Sequence, residues 1–264
     1  MAGSSTMGAS RDDHGDRAGA SPDPARRAVR VLIAVKDLTA AKSRLAAEFS
    51  APDRTRLVLA MLSDTVAAAG AVSVVDSVTV VTPDPLVAET ARRIGARVFD
   101  EPVRDPAQQP DERLNHAFAA ASHVLRHGHV DADVGGRETV PAHRVDIIAL
   151  QADLPAMRSA ELAQAYSGAR LGGRSLVVDH HGTGTAALIL KDSPDELAPL
   201  FGRDSARRHT ASGARELDGA WPGLRLDVDT ADDVRRAHRL GVGPATAAVL
   251  HSLGWSDEAS ATTA

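Results

Sequence analysis

Three cationic side chains follow the first apolar run of this sequence. The run VLIAV at residues 31–35 is rich in β-branched residues, which is typical of a buried strand in a parallel sheet. Lys36, Lys42 and Arg44 come after it. Open α/β sheets bind phosphorylated ligands just beyond the carboxyl ends of their strands. The three cations are therefore expected to contact the phosphates of such a ligand.

Carboxylates follow two other predicted strands. Asp153 comes shortly after the apolar run VDIIAL at residues 145–150, and Asp227 and Asp229 lie in the segment LRLDVDT, which we also interpret as the end of a strand. Hard oxygen ligands select Mg²⁺, and the bound metal bridges carboxylates and substrate phosphates. Asp153 taken alone has a simpler interpretation, as a cap for the helix expected from Ser159. The combination of acids and cations predicts magnesium-dependent phosphoryl or nucleotidyl transfer.

Segments typical of strands and of helices alternate along most of the chain. Such alternation predicts βαβ crossovers, and hence an α/β domain with a mostly parallel sheet. The predicted strands are 31–35, 77–82, 96–99, 145–150, 176–179, 186–190 and 224–230. The predicted helices begin near Pro52, Pro83, Asp111, Ser159, Glu196, Ser205, Ala231 and Pro244.

A single domain over residues 29–255 is the predicted organisation. Residues 1–28 hold almost nothing apolar to bury, so we expect a disordered tail there, and a second one over 256–264. The polar, Gly-rich stretch 127–143 is interpreted as a surface insertion. Four of its side chains are of types that can ligate a metal: His127, His129, Asp131 and Asp133. A solvated loop is the favoured interpretation of this stretch.

The composition excludes several classes of function. A net charge of −5 with a pI near 6.1 gives no basic surface for nucleic acid, and 3% aromatic residues are too few for base stacking. The absence of cysteine excludes disulfides, thiolate metal sites and cysteine nucleophiles, and it fits a cytoplasmic protein. No apolar run approaches the roughly 20 residues that span a bilayer. An ordinary soluble enzyme domain is expected, with no membrane partner.

Two short motifs match known signatures, but the sequence around each of them does not fit the rest of the signature. Gly182, Gly184 and Ala187 fit the dinucleotide pattern G-x-G-x-x-A, but the apolar run after them predicts a strand where that pattern needs a helix. The Gly/Thr loop can still donate hydrogen bonds to a phosphate. The triplet Asp179-His180-His181 is similar to that of the DHH phosphoesterases, but the first strand lacks the acidic motif of that class.

The motifs taken together, in order, resemble the guanylyltransferases of deazaflavin coenzyme F-420 biosynthesis. This family has a 2-phospho-L-lactate branch and a phosphoenolpyruvate branch, and the chain looks closest to the second. The resemblance covers residues 29–240 and implies a three-layer, Rossmann-type nucleotidyltransferase fold, shared with molybdenum-cofactor guanylyltransferases. The motifs that carry it are Lys36, AKSRL at 41–45, LNHA at 114–117, ADLP at 152–155, GTGTAAL at 182–188, FG at 201–202 with Ser205, and LDVDT at 226–230.

The resemblance also implies roles for individual residues. Asp153 and Asp227 would hold Mg²⁺, with Asp229 as a further ligand, and Lys42 would act with the two acids in catalysis. The residues implied to contact the nucleotide are Lys36, Lys42, Arg44 and Asn115. The residues implied to bind the phosphate and carboxylate of the three-carbon acceptor are Thr185, Gly202 and Ser205. Thr183 is the alternative to Thr185, because the register of the Gly/Thr loop is uncertain by one or two positions.

The expected reaction condenses GTP with phosphoenolpyruvate, giving enolpyruvyl-diphospho-guanosine and pyrophosphate. A phosphate monoester is mostly dianionic at pH 7, so the acceptor needs no general base to act as nucleophile. Three alternatives stay open: 2-phospho-L-lactate as acceptor, a guanylyltransferase outside F-420 biosynthesis such as one for molybdopterin, and a nucleotide-binding module without catalysis. The sequence does not fix the oligomeric state, and a homodimer is one option.

Overall fold

The computed structural model describes residues 27–35, 38, 42–100, 109–128 and 145–255. The strands within them are β1 Ala28–Ala34, β2 Val75–Thr82, β3 Arg97–Asp100, β4 Val145–Leu150, β5 Gly173–Val178, β6 Thr185–Lys191 and β7 Arg215–Glu216. The helices are α1 Ala51–Gly70, α2 Pro85–Arg93, α3 Pro110–His127, α4 Ser159–Gly168, α5 Ser205–Ala211, α6 Pro222–Arg225, α7 Ala231–Leu240 and α8 Pro244–Ser252.

The strands form one sheet in the order β3-β2-β1-β4-β6-β5-β7. β1 pairs parallel with β2 and β4, β2 pairs parallel with β3, and β5 pairs parallel with β7. β6 is antiparallel to both of its neighbours, β4 and β5. Since β6 alone of the described strands is reversed, the α/β prediction with a mostly parallel sheet is confirmed.

The reversal of β6 decides which residues meet at the edge where β4 ends. Leu150, the last residue of β4, pairs with Ala187 near the start of β6, and Val178, the last residue of β5, pairs with Thr185. The segment after β4, the segment after β5 and the beginning of β6 therefore lie side by side. Asp153 follows the first of these strand ends, so the topology places it beside the Gly/Thr loop.

Helices cover both faces of the sheet. Val31 and Ile33 of β1 are fully buried in a cluster with apolar side chains of α1, α2 and α4. Leu32, between them, points to the opposite face and packs in a cluster with α3 and α5. Successive strand residues alternate between faces, so an unbroken apolar run such as β1 must be covered on both sides. The resulting architecture has three layers. A further cluster lies between α1, α7 and α8.

The helix predicted over residues 196–201 is wrong, because the structure has no helix there. Ala198 adopts φ 44°, outside the right-handed helical region, and it precedes Pro199, whose ring disfavours a helical conformation of the preceding residue. The buried guanidinium of Arg126 also donates to the carbonyl oxygens of Ser193 (2.6 Å) and Asp195, which fixes the chain immediately before the segment.

The strand predicted over residues 224–230 is also wrong. This part of the chain forms the short helix α6 followed by an irregular segment outside the sheet. The buried carboxylate of Glu161 accepts hydrogen bonds from the backbone N–H groups of Gly223 and Leu224, at 3.0 Å each. Val228 then donates its N–H to the carbonyl oxygen of Asp153 at 3.1 Å. Tertiary hydrogen bonds, and not a sheet ladder, place this segment beside the end of β4.

Several predictions fall largely outside the described residues. They are the tail 1–28, of which only Arg27 and Ala28 are described, the insertion 127–143, of which only His127 and Gly128 are described, and the tail 256–264. The single-domain organisation over 29–255 stays a prediction. Among the described helices, none combines the length and apolar character that crossing a bilayer requires.

We expect Glu161→Ala to lower the free energy of unfolding by about 1–3 kcal/mol, because two buried N–H groups lose their acceptor. Urea unfolding followed by circular dichroism measures this change. The matched control is Glu89→Ala on α2, whose side chain is exposed and which should change stability by less than about 0.5 kcal/mol. Equal stability of the two variants would contradict the anchoring role of Glu161.

Candidate active site

Lys42 lies between two carboxylates at the edge of the sheet. Its ammonium group contacts Asp153 and lies 2.6 Å from Oδ1 of Asp229. Burial by itself would lower the pKa of Lys42, but the charges of Asp153 and Asp229 outweigh that effect and raise it. Lys42 therefore stays charged, and it joins a residue after β4 to a residue of the segment after α6. The backbone of Lys42 is left-handed, with φ 54°, immediately before a 3-10 turn over Ser43–Leu45.

Asp227 lies among other acids of the same cluster. Its burial, together with the negative charges of Asp153, Asp179 and Asp229, raises its pKa to about 7. A hydrogen bond of 3.2 Å joins Oδ1 of Asp227 to Nδ1 of His180. The other ring nitrogen of His180 lies 3.1 Å from Oδ1 of Asp233. The hydrogen bond to His180 thus holds the carboxyl group of Asp227 in place, whereas burial and the neighbouring acids disfavour its ionised form.

Asp179 joins the Gly/Thr loop to the acidic cluster. Its Oδ1 accepts a hydrogen bond of 3.0 Å from the N–H of Thr183, and its own N–H donates to the carbonyl oxygen of Gly184 at 3.1 Å. A side chain at position 184 would overlap with the Asp179 carboxylate, so glycine is required there. The loop therefore folds around a carboxylate whose charge also acts on Asp227.

The donor set of this cluster fits a divalent cation. Oδ1 of Asp153 is buried without a hydrogen-bond partner, and a buried carboxylate oxygen left in that state is costly. Asp227 lies within the field of three further carboxylates. Oxygen donors of this kind are the ligands that hard divalent cations prefer. Asp153, Asp227 and Asp229 are therefore candidate metal ligands, with Lys42 supplying part of the positive charge.

A buried histidine fixes the hydroxyl group of Thr185. Oγ1 of Thr185 lies 2.9 Å from Nδ1 of His209, and Nε2 of His209 accepts a hydrogen bond of 2.8 Å from the N–H of Leu200. Burial, together with the charges of Arg174 and Arg208, lowers the pKa of His209 to about 4. The ring is therefore neutral near pH 7. Since Nε2 accepts, the proton is on Nδ1, which donates to Thr185.

The turn at Gly202 lies against the Gly/Thr loop. Gly202 has φ 114°, and a side chain there would overlap with the carboxylate of Asp111. Ser205 is buried, with its N–H donating to the carbonyl oxygen of Gly202 at 3.2 Å. The next residue, Ala206, donates its N–H to the carbonyl oxygen of Thr183 at 3.0 Å. The structure thus brings the predicted acceptor residues of the two loops together.

Three further residues are predicted to contact the nucleotide: Lys36, Arg44 and Asn115. Arg44 is exposed in the 3-10 turn, and its charge contributes to the lowered pKa of Asp229, so it lies close to the acidic cluster. Both polar atoms of the Asn115 side chain bind the backbone of Phe201, at 3.0 Å and 2.7 Å, so Asn115 supports the turn before Gly202. Lys36 lies outside the described residues. The nucleotide roles of these three residues stay predictions.

The sequence motifs do not predict the part that Asp179, His180 and Asp233 take in this cluster. Asp179 and His180 match only a phosphoesterase triplet, and no motif includes Asp233. One signal was present in the sequence: Asp179 directly follows β5 just as Asp153 follows β4, so both acids lie at strand ends. Asp233 lies in α7, and its contact with His180 depends on the packing of that helix.

Comparisons with known proteins show the family to which the chain is related. The family model described as guanylyl transferase, CofC-like, matches residues 29–124. Phosphoenolpyruvate guanylyltransferase 1 of Rhodococcus jostii is 53% identical over 234 residues, which are 86% of this chain and 94% of that protein. Phosphoenolpyruvate guanylyltransferase of Nocardia farcinica is 53% identical over 229 residues, covering 87% of this chain and 93% of that protein.

Solved structures share the fold. A nucleotidyl transferase from Methanothermobacter superposes with a TM-score of 0.51 at 16% sequence identity, covering 81% of this chain and 97% of that one. A protein from Desulfovibrio desulfuricans G20, described as a nucleotide-diphospho-sugar transferase, superposes with a TM-score of 0.57 at 13% identity, covering 85% and 94%. At these identities the likeness is one of fold alone.

The raised pKa of Asp227 predicts a stability that depends on pH. The folded chain holds this proton up to about pH 7, whereas an unfolded chain releases it near pH 4, so folding stability falls as pH rises through that window. Asp227→Asn removes the buried charge. We expect it to raise the melting temperature of the metal-free protein by about 2–4 °C at pH 8, and by less at pH 5.

Differential scanning calorimetry in the presence of a chelator measures this effect. Asp232→Asn is the matched control, because Asp232 is an exposed acid on α7 and has no part in the cluster. An increase in melting temperature that is the same at both pH values would contradict the raised pKa.

Proposed function

This chain belongs to the CofC-like guanylyltransferase family, and we propose that it transfers the guanylyl group of GTP to phosphoenolpyruvate. A phosphate oxygen of the acceptor attacks the α-phosphorus of GTP. The bond from that phosphorus to the oxygen bridging to the β-phosphate breaks, and pyrophosphate leaves. The product is enolpyruvyl-diphospho-guanosine, which would serve the biosynthesis of coenzyme F-420. Relatives named as phosphoenolpyruvate guanylyltransferases favour this acceptor over 2-phospho-L-lactate.

One observation carries the proposal: the acidic cluster around Lys42 lies beside the loop that leads into β6. Asp179 contacts the loop through Thr183 and acts on Asp227 through its charge. A nucleotidyl transfer needs one subsite for a triphosphate and another for the attacking phosphate, at adjacent positions. The Gly/Thr loop and the Gly202 turn, next to the carboxylates and Lys42, would form both subsites at one edge of the sheet.

The carboxylates of Asp153 and Asp227 would hold Mg²⁺, with Asp229 as a further ligand. A metal held there would offset the negative charge of the phosphates. Lys42 would contact the triphosphate from the same cluster, and Arg44 would do so from the exposed turn. These cations stabilise the negative charge that develops on the leaving pyrophosphate.

The acceptor needs positioning more than activation. Its phosphate is mostly dianionic at pH 7, since the second pKa of a phosphate monoester is about 6, so no general base is required. The Nδ1–H group of His209 donates a hydrogen bond to Oγ1 of Thr185, so the hydroxyl hydrogen of Thr185 can point at the acceptor. Thr185 and Ser205 are buried, whereas the side chain of Thr183 is exposed, so Thr183 remains the alternative contact.

The proposal is tested with the purified full chain, GTP and Mg²⁺, following pyrophosphate release. Phosphoenolpyruvate is expected to support release, and 2-phospho-L-lactate to support it more slowly. ATP and CTP in place of GTP test the nucleotide. Absence of pyrophosphate release with every combination would overturn the proposed reaction, and faster release with 2-phospho-L-lactate would reassign the acceptor.

We expect Asp153→Asn to reduce kcat/KM by about 30- to 150-fold, which corresponds to roughly 2–3 kcal/mol of transition-state stabilisation. The physical reason is the loss of a charged oxygen donor that holds the metal against the phosphates. Steady-state pyrophosphate release measures the change, and Asp232→Asn again serves as an acidic control outside the cluster. Wild-type turnover by Asp153→Asn would refute the metal assignment.

His209 should act on the acceptor subsite alone. In His209→Phe the hydroxyl of Thr185 and the N–H of Leu200 lose their partner, and an unpaired buried group costs about 1–3 kcal/mol. We expect the KM for phosphoenolpyruvate to rise at least about tenfold. The KM for GTP should stay within about a factor of two, well under the effect of one lost hydrogen bond. Thr210→Ala, an exposed change on the same helix, is the control, and equal increases in both KM values would contradict this role.

A further inference from the structure

Two histidines and a glutamate form a cluster on the surface at the C-terminal end of α3. His123 and His127 are four residues apart, so they lie on the same face of the helix. Glu196 comes from the segment after β6. Its Oε1 lies 3.6 Å from Nδ1 of His123 and 3.1 Å from Nε2 of His127, and the three donor atoms all lie within 4.8 Å of one another.

These separations match those of ligands around a tetrahedral zinc ion. Zinc bonds to histidine nitrogen and to carboxylate oxygen are about 2.0–2.2 Å long, which places neighbouring donors of a tetrahedron roughly 3.3–3.5 Å apart. The measured distances from Glu196 to His123 and His127 bracket that range. An ion would therefore need only small side-chain adjustments to bind all three residues.

The position of Glu196 is set by the buried side chain next to the histidines. Arg126 is 2% exposed and donates to the carbonyl oxygens of Ser193, at 2.6 Å, and Asp195. Its guanidinium lies 3.8 Å from Oε2 of Glu196, which leaves Oε1 directed at the histidines. Because Arg126 lies in α3 between the two histidines, the same helix turn carries both histidines and the guanidinium that contacts Glu196.

The cluster is separate from the acidic cluster around Lys42. Residue 196 lies beyond Lys191, the last residue of β6, and the pairing of Leu190 with Ile147 puts the end of β6 at the edge where β4 begins. Asp153 lies at the other edge, where β4 ends. The donors also differ in kind, since imidazole suits zinc and related transition metals whereas carboxylates suit magnesium.

We propose that His123, His127 and Glu196 form a second metal site, which binds Zn²⁺ with water in the fourth position. The ion would join α3 to the segment after β6. That segment continues to Leu200 and Phe201, which bind His209 and Asn115, so the metal would stabilise the support of the Gly202 turn. The site has three exposed protein ligands and would exchange its metal with solvent.

Metal binding to the tag-free full chain tests the proposal. Zn²⁺ is titrated by calorimetry in excess Mg²⁺, which saturates oxygen-donor sites, and Co²⁺ is titrated by visible absorption, which reports nitrogen-containing tetrahedral coordination. We expect one Zn²⁺ per chain, a Co²⁺ spectrum of that type, and a melting temperature that rises with Zn²⁺. His123→Gln, His127→Gln and Glu196→Gln should each weaken Zn²⁺ binding at least about tenfold.

His116→Gln is the matched control, because His116 is an exposed histidine on the same helix and is not in the cluster. It should bind Zn²⁺ as the wild type does. The proposal would be overturned if the wild type bound no Zn²⁺ in excess Mg²⁺, or if all three cluster variants bound it with unchanged affinity. Neither result depends on guanylyl transfer, since no nucleotide is present.

Discussion

The repulsion between carboxylates at one edge of the sheet, and its partial relief by Lys42, is the interaction on which the site depends. Asp153, Asp179, Asp227 and Asp229 come from three separate segments and lie close enough for each of the other three charges to raise the pKa of Asp227. One buried ammonium group offsets part of that charge. Bringing these carboxylates together costs free energy of folding when no cation is bound. A bound cation would reduce the same repulsion, so the cluster is suited to bind one.

The antiparallel strand β6 is the feature of the fold that completes the site. In a wholly parallel sheet, the loop between β5 and β6 would be a long crossover, and its ends would lie at opposite edges. Because β6 is reversed, a tight loop joins the two strands at the edge where Asp153 lies. Asp179 at the end of β5 then contacts Thr183 and faces Asp227. The acidic cluster and the Gly/Thr loop are thereby adjacent.

The predictions from sequence succeeded where local pattern decides conformation. The unbroken apolar runs predicted β1 and β4, and proline at the start of an apolar stripe predicted α1 and α8; the structure has all four elements. The two errors, at 196–201 and 224–230, lie in segments whose conformation is set by distant partners. Arg126 binds backbone carbonyls immediately before the first segment, and Glu161 binds backbone N–H groups at the start of the second. A local sequence window contains neither partner.

The sequence by itself determined the fold class and the family, and it supplied the candidate residues of the site, because residue type and order along the chain carry that information. Only the tertiary structure decided that Asp179 and His180 belong with Asp227, that Asn115 supports a turn through the backbone of Phe201, and that His209 fixes the hydroxyl of Thr185. The reason is physical. Hydrogen bonds and charge interactions act over a few ångströms in space, and residues that are far apart in the chain come within that distance only when helices and strands pack.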